Sequence, residues 1–308
     1  MQAIADCLED KLFAAREAAS AWVNVAHVAA RSGNTSKCRQ AVDRVEAIVN
    51  RSPSHERLEN LRLRALYNLC TAEANCRNLS ACKAAAERMD VAAKDRPDNV
   101  ENLAICANAW VEVSRASNDA NDFSGCHAAV EKLTQITDSF GGIRDFDMAS
   151  AKGLINLCGA KAETGDATGC AATAKRVGDI ADRQRRSEEF EELRGKALLN
   201  VALSYAAVNN LSGCEAATNQ LEELTELYGK KEEFGILCAT SWGAVAFARK
   251  NVGNVADAEM AFARMEALAG SFAGSKKMEQ ICEKARLLLH PVAPSSPRTA
   301  QEGGKAPL

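Results

Sequence analysis

Residues 22–53 read WVNVAHVAARSGNTSKCRQAVDRVEAIVNRSP, and the pattern of this stretch returns at a fixed interval along the chain. Its single cysteine is followed by four further cysteines and an alanine, each 44 residues after the last. This column reads Cys38, Cys82, Cys126, Cys170, Cys214 and Ala258. Self-similarity at one period of a few tens of residues is typical of repeat proteins. The sequence therefore predicts six units of 44 residues, over about residues 10–273.

Other columns keep the same period and show that each unit contains two helices. All three tryptophans lie in one column, which reads Trp22, Leu66, Trp110, Leu154, Leu198 and Trp242. Asparagine or aspartate fills another, which reads Asn34, Asn78, Asp122, Asp166, Asn210 and Asn254. Apolar or small residues then recur at offsets 0, 3, 7 and 10 from the cysteine column, which is a helical stripe. The Asx column lies just before this second helix, where a side-chain oxygen can accept a hydrogen bond from a free backbone amide and so cap the helix.

The ends of the units carry residues that stop helices. Turns with glycine at Gly33, Gly165 and Gly253 separate the two helices of a unit. At the far end, four of the six units have proline or glycine, at Pro53, Pro97, Gly141 and Gly229. These signals predict twelve helices and an all-α solenoid.

The two ends of the chain depart from the repeat. The first residues, from Gln2 to Ala14, are predicted to extend the first helix, and residues 275–290 to form a helix that caps the stack. The helical repeat domain is thus expected at 1–290. Residues 291–308 hold three prolines within seven residues and no apolar periodicity, so a disordered tail is expected there.

The pattern of the first unit resembles the tetratricopeptide repeat. The matching residues are Trp22, Asn24, Ala26, Gly33, Asn34, Cys38 and Pro53. Each unit here has 44 residues instead of 34, so its helices must be longer. The aromatic that this family often places late in the first helix fits only at Tyr205. The other positions of that column are Ala29, Glu73, Ser117, Lys161 and Arg249. The resemblance implies a right-handed α-α superhelix, with first helices along a concave groove and second helices outside.

Two columns of the first helix lie about 160 to 200° from the tryptophan and small-residue columns, so they face away from the hairpin core. One reads Ser20, Arg64, Asn108, Lys152, Lys196 and Thr240. The other, four residues later and on the same helix face, reads Asn24, Asn68, Glu112, Asn156, Asn200 and Ala244. Several units therefore present a cation beside an amide.

An asparagine side chain can accept from one backbone amide and donate to one carbonyl, and a cation beside it can bind a carboxylate. Tetratricopeptide domains use asparagine ladders and clamps for acidic peptide tails, and these residues are similar. The candidate peptide-binding residues are Asn24, Arg64, Asn68, Lys152, Asn156, Lys196 and Asn200. The strongest candidates are in units four and five, because these adjacent units both carry the cation and the amide. Alternatively, the amides bond to the neighbouring unit and hold the stack together, and the cations form a solvated face.

The twelve cysteines are expected to be reduced thiols in a cytoplasmic protein, because the N-terminus is acidic where a secretory signal would be basic. Cys70 with Cys82, and Cys158 with Cys170, each span one helix hairpin, so a disulfide in these pairs stays open. The four histidines show no metal-ligand spacing, so neither a metal nor a cofactor is expected.

The composition and motifs exclude several function classes. Acidic residues outnumber basic ones by 41 to 38, which disfavours nucleic acid as a partner, and no long apolar run predicts membrane insertion. The sequence lacks GxSxG, HExxH, GxGxxG and phosphate-loop motifs. We therefore expect a non-enzymatic adaptor that binds a peptide segment of a partner protein. A structural or self-assembly module and a peptide- or ligand-sensing regulator are the alternatives, and the oligomeric state stays open.

Overall fold

The computed structural model describes residues 2–51, 55–94, 97–185, 187–228 and 231–290, and the side chains of residues 2–9 lie outside this description. The described residues form thirteen α-helices and one short 3-10 turn, with no strand among them. The predicted all-α class is confirmed. The predicted disordered tail, residues 291–308, falls outside the described residues, as do Pro53 and Gly229.

The helices repeat with the period of the sequence. The first helices of successive units are α1 (Gln2–Arg31), α3 (Glu56–Asn75), α5 (Val100–Asp119), α7 (Arg144–Glu163), α9 (Glu188–Ala207) and α11 (Glu232–Asn251). The second helices are α2 (Thr35–Val49), α4 (Leu79–Ala93), α6 (Phe123–Thr137), α8 (Ala167–Arg183), α10 (Leu211–Tyr228) and α12 (Val255–Gly270). Each second helix begins 44 residues after the previous one. The 3-10 turn, Asp138–Phe140, follows α6 directly.

The helices pack in one continuous row. Each first helix packs on its own second helix and on the first helix of the next unit, and from α3 onward it also separates two second helices. The last helix, α13 (Lys276–Leu289), packs on α11 and α12 in the place of a seventh first helix. This arrangement is an α-solenoid, in which each unit buries its apolar stripes against its neighbours.

The turn inside each unit has one geometry. Six residues at 44-residue intervals have φ between +56° and +81°. They are Gly33, Arg77, Asn121, Gly165, Asn209 and Gly253. The next amide bonds back across the turn, as Asn34 does to the carbonyl of Ala29 at 2.9 Å, which satisfies a carbonyl at the helix end.

The Asx column caps the second helices, as its position predicts. In all six units the side-chain oxygen accepts from the backbone amide three residues later, at 2.8 to 3.4 Å. Such a cap satisfies one of the amides that a helix start leaves without a partner. The cysteine column that follows is fully buried in the five units that have it, where a thiol packs as a small apolar group.

Candidate functional site

One exposed stripe runs along the first helices, and we call it the first-helix face. On α9 it consists of Lys196, Leu199, Asn200 and Leu203, which share one side of the helix because they are spaced by three and four residues. The same columns continue the face onto the other first helices. Since α7 and α9 pack side by side, the Lys152–Asn156 and Lys196–Asn200 pairs are neighbours on this face.

The cations predicted for this face differ in their partners. Arg64 pairs with Glu101 on the next first helix at 2.8 Å, and this bond lowers the pKa of Glu101. Lys196 pairs with Glu192, one turn earlier on α9, at 2.6 Å. The exposed ammonium of Lys152 has no ion-pair partner in the described part of the chain. Of the two candidate cations of units four and five, Lys152 is therefore the one without a carboxylate partner among the described residues.

The predicted asparagines bond to the preceding unit. The amide nitrogen of Asn68 lies 3.4 Å from the carbonyl oxygen of Val23, and that of Asn200 lies 3.4 Å from the carbonyl oxygen of Ile155. Asn156 donates to the Val111 carbonyl at 3.4 Å and to the Ser114 hydroxyl at 2.8 Å. These donors tie each first helix to its predecessor, as the alternative interpretation of the column expected.

The side-chain carbonyl oxygens of these asparagines accept no hydrogen bond from the described residues. No described residue donates to the side-chain carbonyl oxygens of Asn68, Asn156 and Asn200, and these oxygens are not among the buried atoms without partners. Asn24 lies on α1, the first described helix, and its side chain is exposed. Asn68 is buried, which corrects its prediction as a binding residue, whereas the half-buried Asn156 and Asn200 can accept hydrogen bonds from an external group. The donors of all three side chains serve the stack.

Unit three interrupts the face with an ionic network. Glu112 replaces asparagine in the column and pairs with Arg115 at 2.8 Å. Arg115 also bonds to Asp119 and reaches Asn75 on α3 at 2.9 Å. Asn108 bonds to a carbonyl of its own helix. These ion pairs and hydrogen bonds in unit three separate the part of the face in units one and two from the part in units four to six.

Sequence reasoning missed the apolar part of the face. Leu203 and Phe247 occupy one column, and their side chains are 42% and 40% exposed. Gly159 holds the same position on α7, where an added Cβ would lie 3.1 Å from the amide nitrogen of Asn118. The sequence does contain a signal for this apolar part, because the column holds Gly159, Leu203 and Phe247 in units four to six and none of them is charged.

The cysteines of both candidate pairs are free thiols. The sulfurs of Cys70 and Cys82 lie 3.3 Å apart, and Cys158 donates to the carbonyl of Cys170 at 3.4 Å. The hydrogen bond with Cys82 and burial raise the pKa of the Cys70 thiol well above its ordinary value. Burial likewise raises the pKa of Cys126 to about 12. Thiols of this kind stay protonated at neutral pH and react slowly.

The described residues bring no three histidine, cysteine, aspartate or glutamate side chains together in a group that could hold a metal ion. None of the helices in that part of the chain combines the length and the apolar character needed to cross a bilayer.

No protein-family model matches the sequence. No curated protein matches it either.

Proposed function

We propose that the protein is a non-enzymatic adaptor of the tetratricopeptide-like kind, and that units four to six of its first-helix face bind an extended, acidic segment of a partner protein. The observation that carries the proposal is the exposed ammonium of Lys152, which has no carboxylate partner among the residues that the structure describes. It lies one turn before Asn156, whose carbonyl oxygen can accept a backbone amide. A charge-assisted bond to a carboxylate is stronger than a bond between neutral groups.

The neighbouring side chains support the same kind of ligand. Lys196 and Asn200 repeat the cation and the amide on the adjacent helix, and the Glu192 pair of Lys196 is exposed enough to exchange for a ligand carboxylate. Leu203 and Phe247 lie on the same face and can contact an apolar side chain of the segment. An extended peptide presents alternate side chains and a free backbone edge, so it can use all three features.

The amide bonds within the stack favour a second candidate, a structural module of a larger assembly. In that case the asparagines serve only the solenoid, and the partner contacts another surface. The free thiols fit either candidate and a reducing, cytoplasmic location, which we include in the proposal.

Affinity capture from a native lysate with three baits tests the proposal. We expect wild type to retain a partner that the Lys152→Ala/Lys196→Ala variant loses. This variant removes only exposed side chains, so its helix content and thermal stability should match those of wild type. The matched control is Lys37→Ala/Lys83→Ala, which removes two exposed lysines from the second helices α2 and α4 and should retain the partner.

Retention of the same proteins by all three baits would contradict the peptide-binding role of the first-helix face. An additional variant, Asn156→Ala/Asn200→Ala, separates the two candidates. A structural role alone predicts reduced stability and unchanged binding, whereas a ligand role predicts weaker binding when measured well below the unfolding transition.

A further inference from the structure

Side chains on successive second helices form a periodic strap across the outer side of the solenoid. Glu46 on α2 pairs with Arg88 on α4 at 2.6 Å. Forty-four residues later, Asp90 on α4 and Lys132 on α6 occupy the same two positions. Burial raises the pKa of the Asp90 carboxyl, and the hydrogen bond from Trp110 and the charge of Lys132 oppose this rise. The columns meet again between α10 and α12, where Glu222 lies 3.8 Å from Arg264. An acid on one second helix thus pairs with a base on the next at the α2–α4 and α10–α12 junctions.

Between α6 and α8 the acid position is Thr134, so only the base, Arg176, is present there. Between α8 and α10 the acid position is Gly178 and the base position is Gln220, so neither charge is present. An open cleft of about 700 Å³ lies between α8 and α10. The clefts at the two preceding junctions measure about 260 and 420 Å³. A cavity of this size is within the usual range for binding sites.

The cleft is a long trough with an apolar floor. Its floor is the face of α9 from Glu191 to Tyr205, which is about 21 Å long at the helical rise per residue. Leu198 and Val201 line this floor, and Leu224 adds an apolar side chain from α10. The walls are lined largely by small residues, namely Ala171, Ala174 and Gly178 on α8 and Gly213, Ala216 and Ala217 on α10. Because the wall residues have small side chains, they leave room for the side chains of another segment.

The charged side chains at the cleft differ in whether they already have a partner. On the floor, the buried carboxylate of Glu191 is already paired with Arg194 at 3.2 Å, and Arg194 also bonds to Asp182 on α8. Asp179 on α8 and Glu223 on α10 occupy equivalent positions, 44 residues apart, and both border the cleft. Both are exposed and lack a hydrogen bond or ion pair within the described residues, although Asp179 acts at longer range on Arg183.

Lys175, one turn before Asp179 on α8, is the exposed cation at the rim. The side chains available to an external group are therefore two carboxylates and one ammonium. Both carboxylates border the cleft and outnumber the single ammonium, so the rim favours a cation.

We infer that this cleft is a second docking site, and that its occupant is an amphipathic helix of a partner protein with a lysine or arginine beside its apolar face. Apolar residues at i, i+4, i+7 and i+11 of such a helix span the floor. Its basic residue lies between Asp179 and Glu223. The site is on the second-helix side of the solenoid, so it is separate from the proposed peptide site on the first-helix face.

Fluorescence anisotropy with synthetic peptides tests the inference. The probes are labelled 14-residue amphipathic helices with Leu, Ile, Phe or Met at the four apolar positions and lysine beside the last one. A matched set carries glutamate at the lysine position. We expect at least one lysine peptide to bind wild type, with its glutamate counterpart about tenfold weaker or undetectable.

The decisive variant is Gly178→Glu/Gln220→Arg, which introduces the charge pair of the α10–α12 junction and fills the cleft with two long side chains. Glutamate is a better helix former than glycine, and the added Cβ lies 3.3 Å from the Arg194 guanidinium, which must shift slightly while it keeps its bonds to Glu191 and Asp182. Circular dichroism and thermal unfolding check that the variant is folded. Binding of the lysine peptide should fall at least about tenfold. The milder variant Asp179→Asn/Glu223→Gln should abolish the preference for lysine over glutamate and leave the cleft open.

Lys152→Ala/Lys196→Ala is the control, and it should bind the helical peptide as wild type does. Equal affinity of wild type and the Gly178→Glu/Gln220→Arg variant would overturn the inference. It would also be overturned if no peptide of the set bound at about 1 mM, which is weak for specific recognition. Neither result would bear on the first-helix face.

Discussion

Glu73 on α3 is buried, and its carboxylate accepts a hydrogen bond of 2.8 Å from Nε of Arg39 on α2. Four units later the same two positions hold the opposite charges, where Arg249 on α11 donates to Glu215 on α10 at 2.8 Å. This column is the one in which the sequence lacks the aromatic of the tetratricopeptide pattern. It lies at the contact between one unit and the next, and in these two units an ion pair occupies it.

The first prediction concerns the stability of that contact. Arg39→Ala leaves Glu73 with only the amide of Asn78 as a described partner, and a buried charge that loses its counter-ion is destabilising. We expect the free energy of unfolding to fall by about 2 kcal/mol, since Arg39 itself is half exposed. Urea unfolding followed by circular dichroism measures the change.

The exchange of charges is the control for this prediction. Arg39→Glu/Glu73→Arg reproduces the order found at Glu215 and Arg249, so it should recover most of the lost stability. A double variant less stable than Arg39→Ala would show that the ion pair does not set the strength of this contact.

A second prediction concerns the turn at Arg77. This exposed arginine has φ +58°, a conformation in which a Cβ is unfavourable, whereas the equivalent positions Gly33 and Gly165 have no Cβ. Arg77→Gly should raise the free energy of unfolding by up to about 1 kcal/mol. The reverse change, Gly165→Ala, should lower it by a similar amount, and thermal unfolding of both variants checks the sign. Destabilisation by Arg77→Gly would contradict this account of the turn.

A third prediction concerns pH. Burial alone would raise the pKa of Asp147, but hydrogen bonds from Arg183 and Gln184 outweigh it and hold this pKa below its ordinary value. A carboxyl with a lowered folded-state pKa stabilises the fold above the ordinary value of 3.8, and this contribution is lost as the pH falls through the lowered value. Asp147→Asn should therefore be less stable than wild type at pH 7, and the difference should shrink below about pH 4. Unfolding at a series of pH values measures it, and a difference that grew on acidification would refute the assignment.

A fourth prediction concerns the thiols. Cys76 is exposed and Cys282 is half buried, while the other nine described cysteines are buried. In a Cys7→Ser background, an aromatic disulfide reagent should label Cys76 first, then Cys282, and the rest only after unfolding. Mass spectrometry of the native protein should find no Cys70–Cys82 bond. Rapid labelling of Cys126 in the native protein would contradict the burial of its column.

The repeat and its helices could be predicted from the sequence because each periodic column has one structural role, such as core packing or helix capping. A buried small residue recurs at the cysteine position, and an Asx cap recurs four residues earlier, so helix starts follow at 44-residue intervals. Asparagine at Asn121 and Asn209 is a weaker signal than glycine for the left-handed turn residue, and Arg77 gives no such signal. The turn at Arg77 is set by the helices on both sides.

The candidate site was predictable only in part. The exposed columns of Lys152 and Asn156 follow from helical spacing, but spacing does not say that the amide nitrogen of Asn156 bonds to the preceding helix. That contact depends on how closely α5 and α7 pack. The cleft beside Gly178 likewise depends on two columns in different units, which meet only when the solenoid stacks.

The most direct test of the central claim is the position at which a partner contacts the solenoid. A photo-reactive phenylalanine analogue is placed at Leu203 on the first-helix face, and in a second protein at Lys37, which is exposed on α2. Each is irradiated with the protein that wild type captures from lysate. The account predicts a cross-linked product from position 203, lost when Lys152 and Lys196 are changed to alanine, and none from position 37. A product from position 37 with none from position 203 would contradict it.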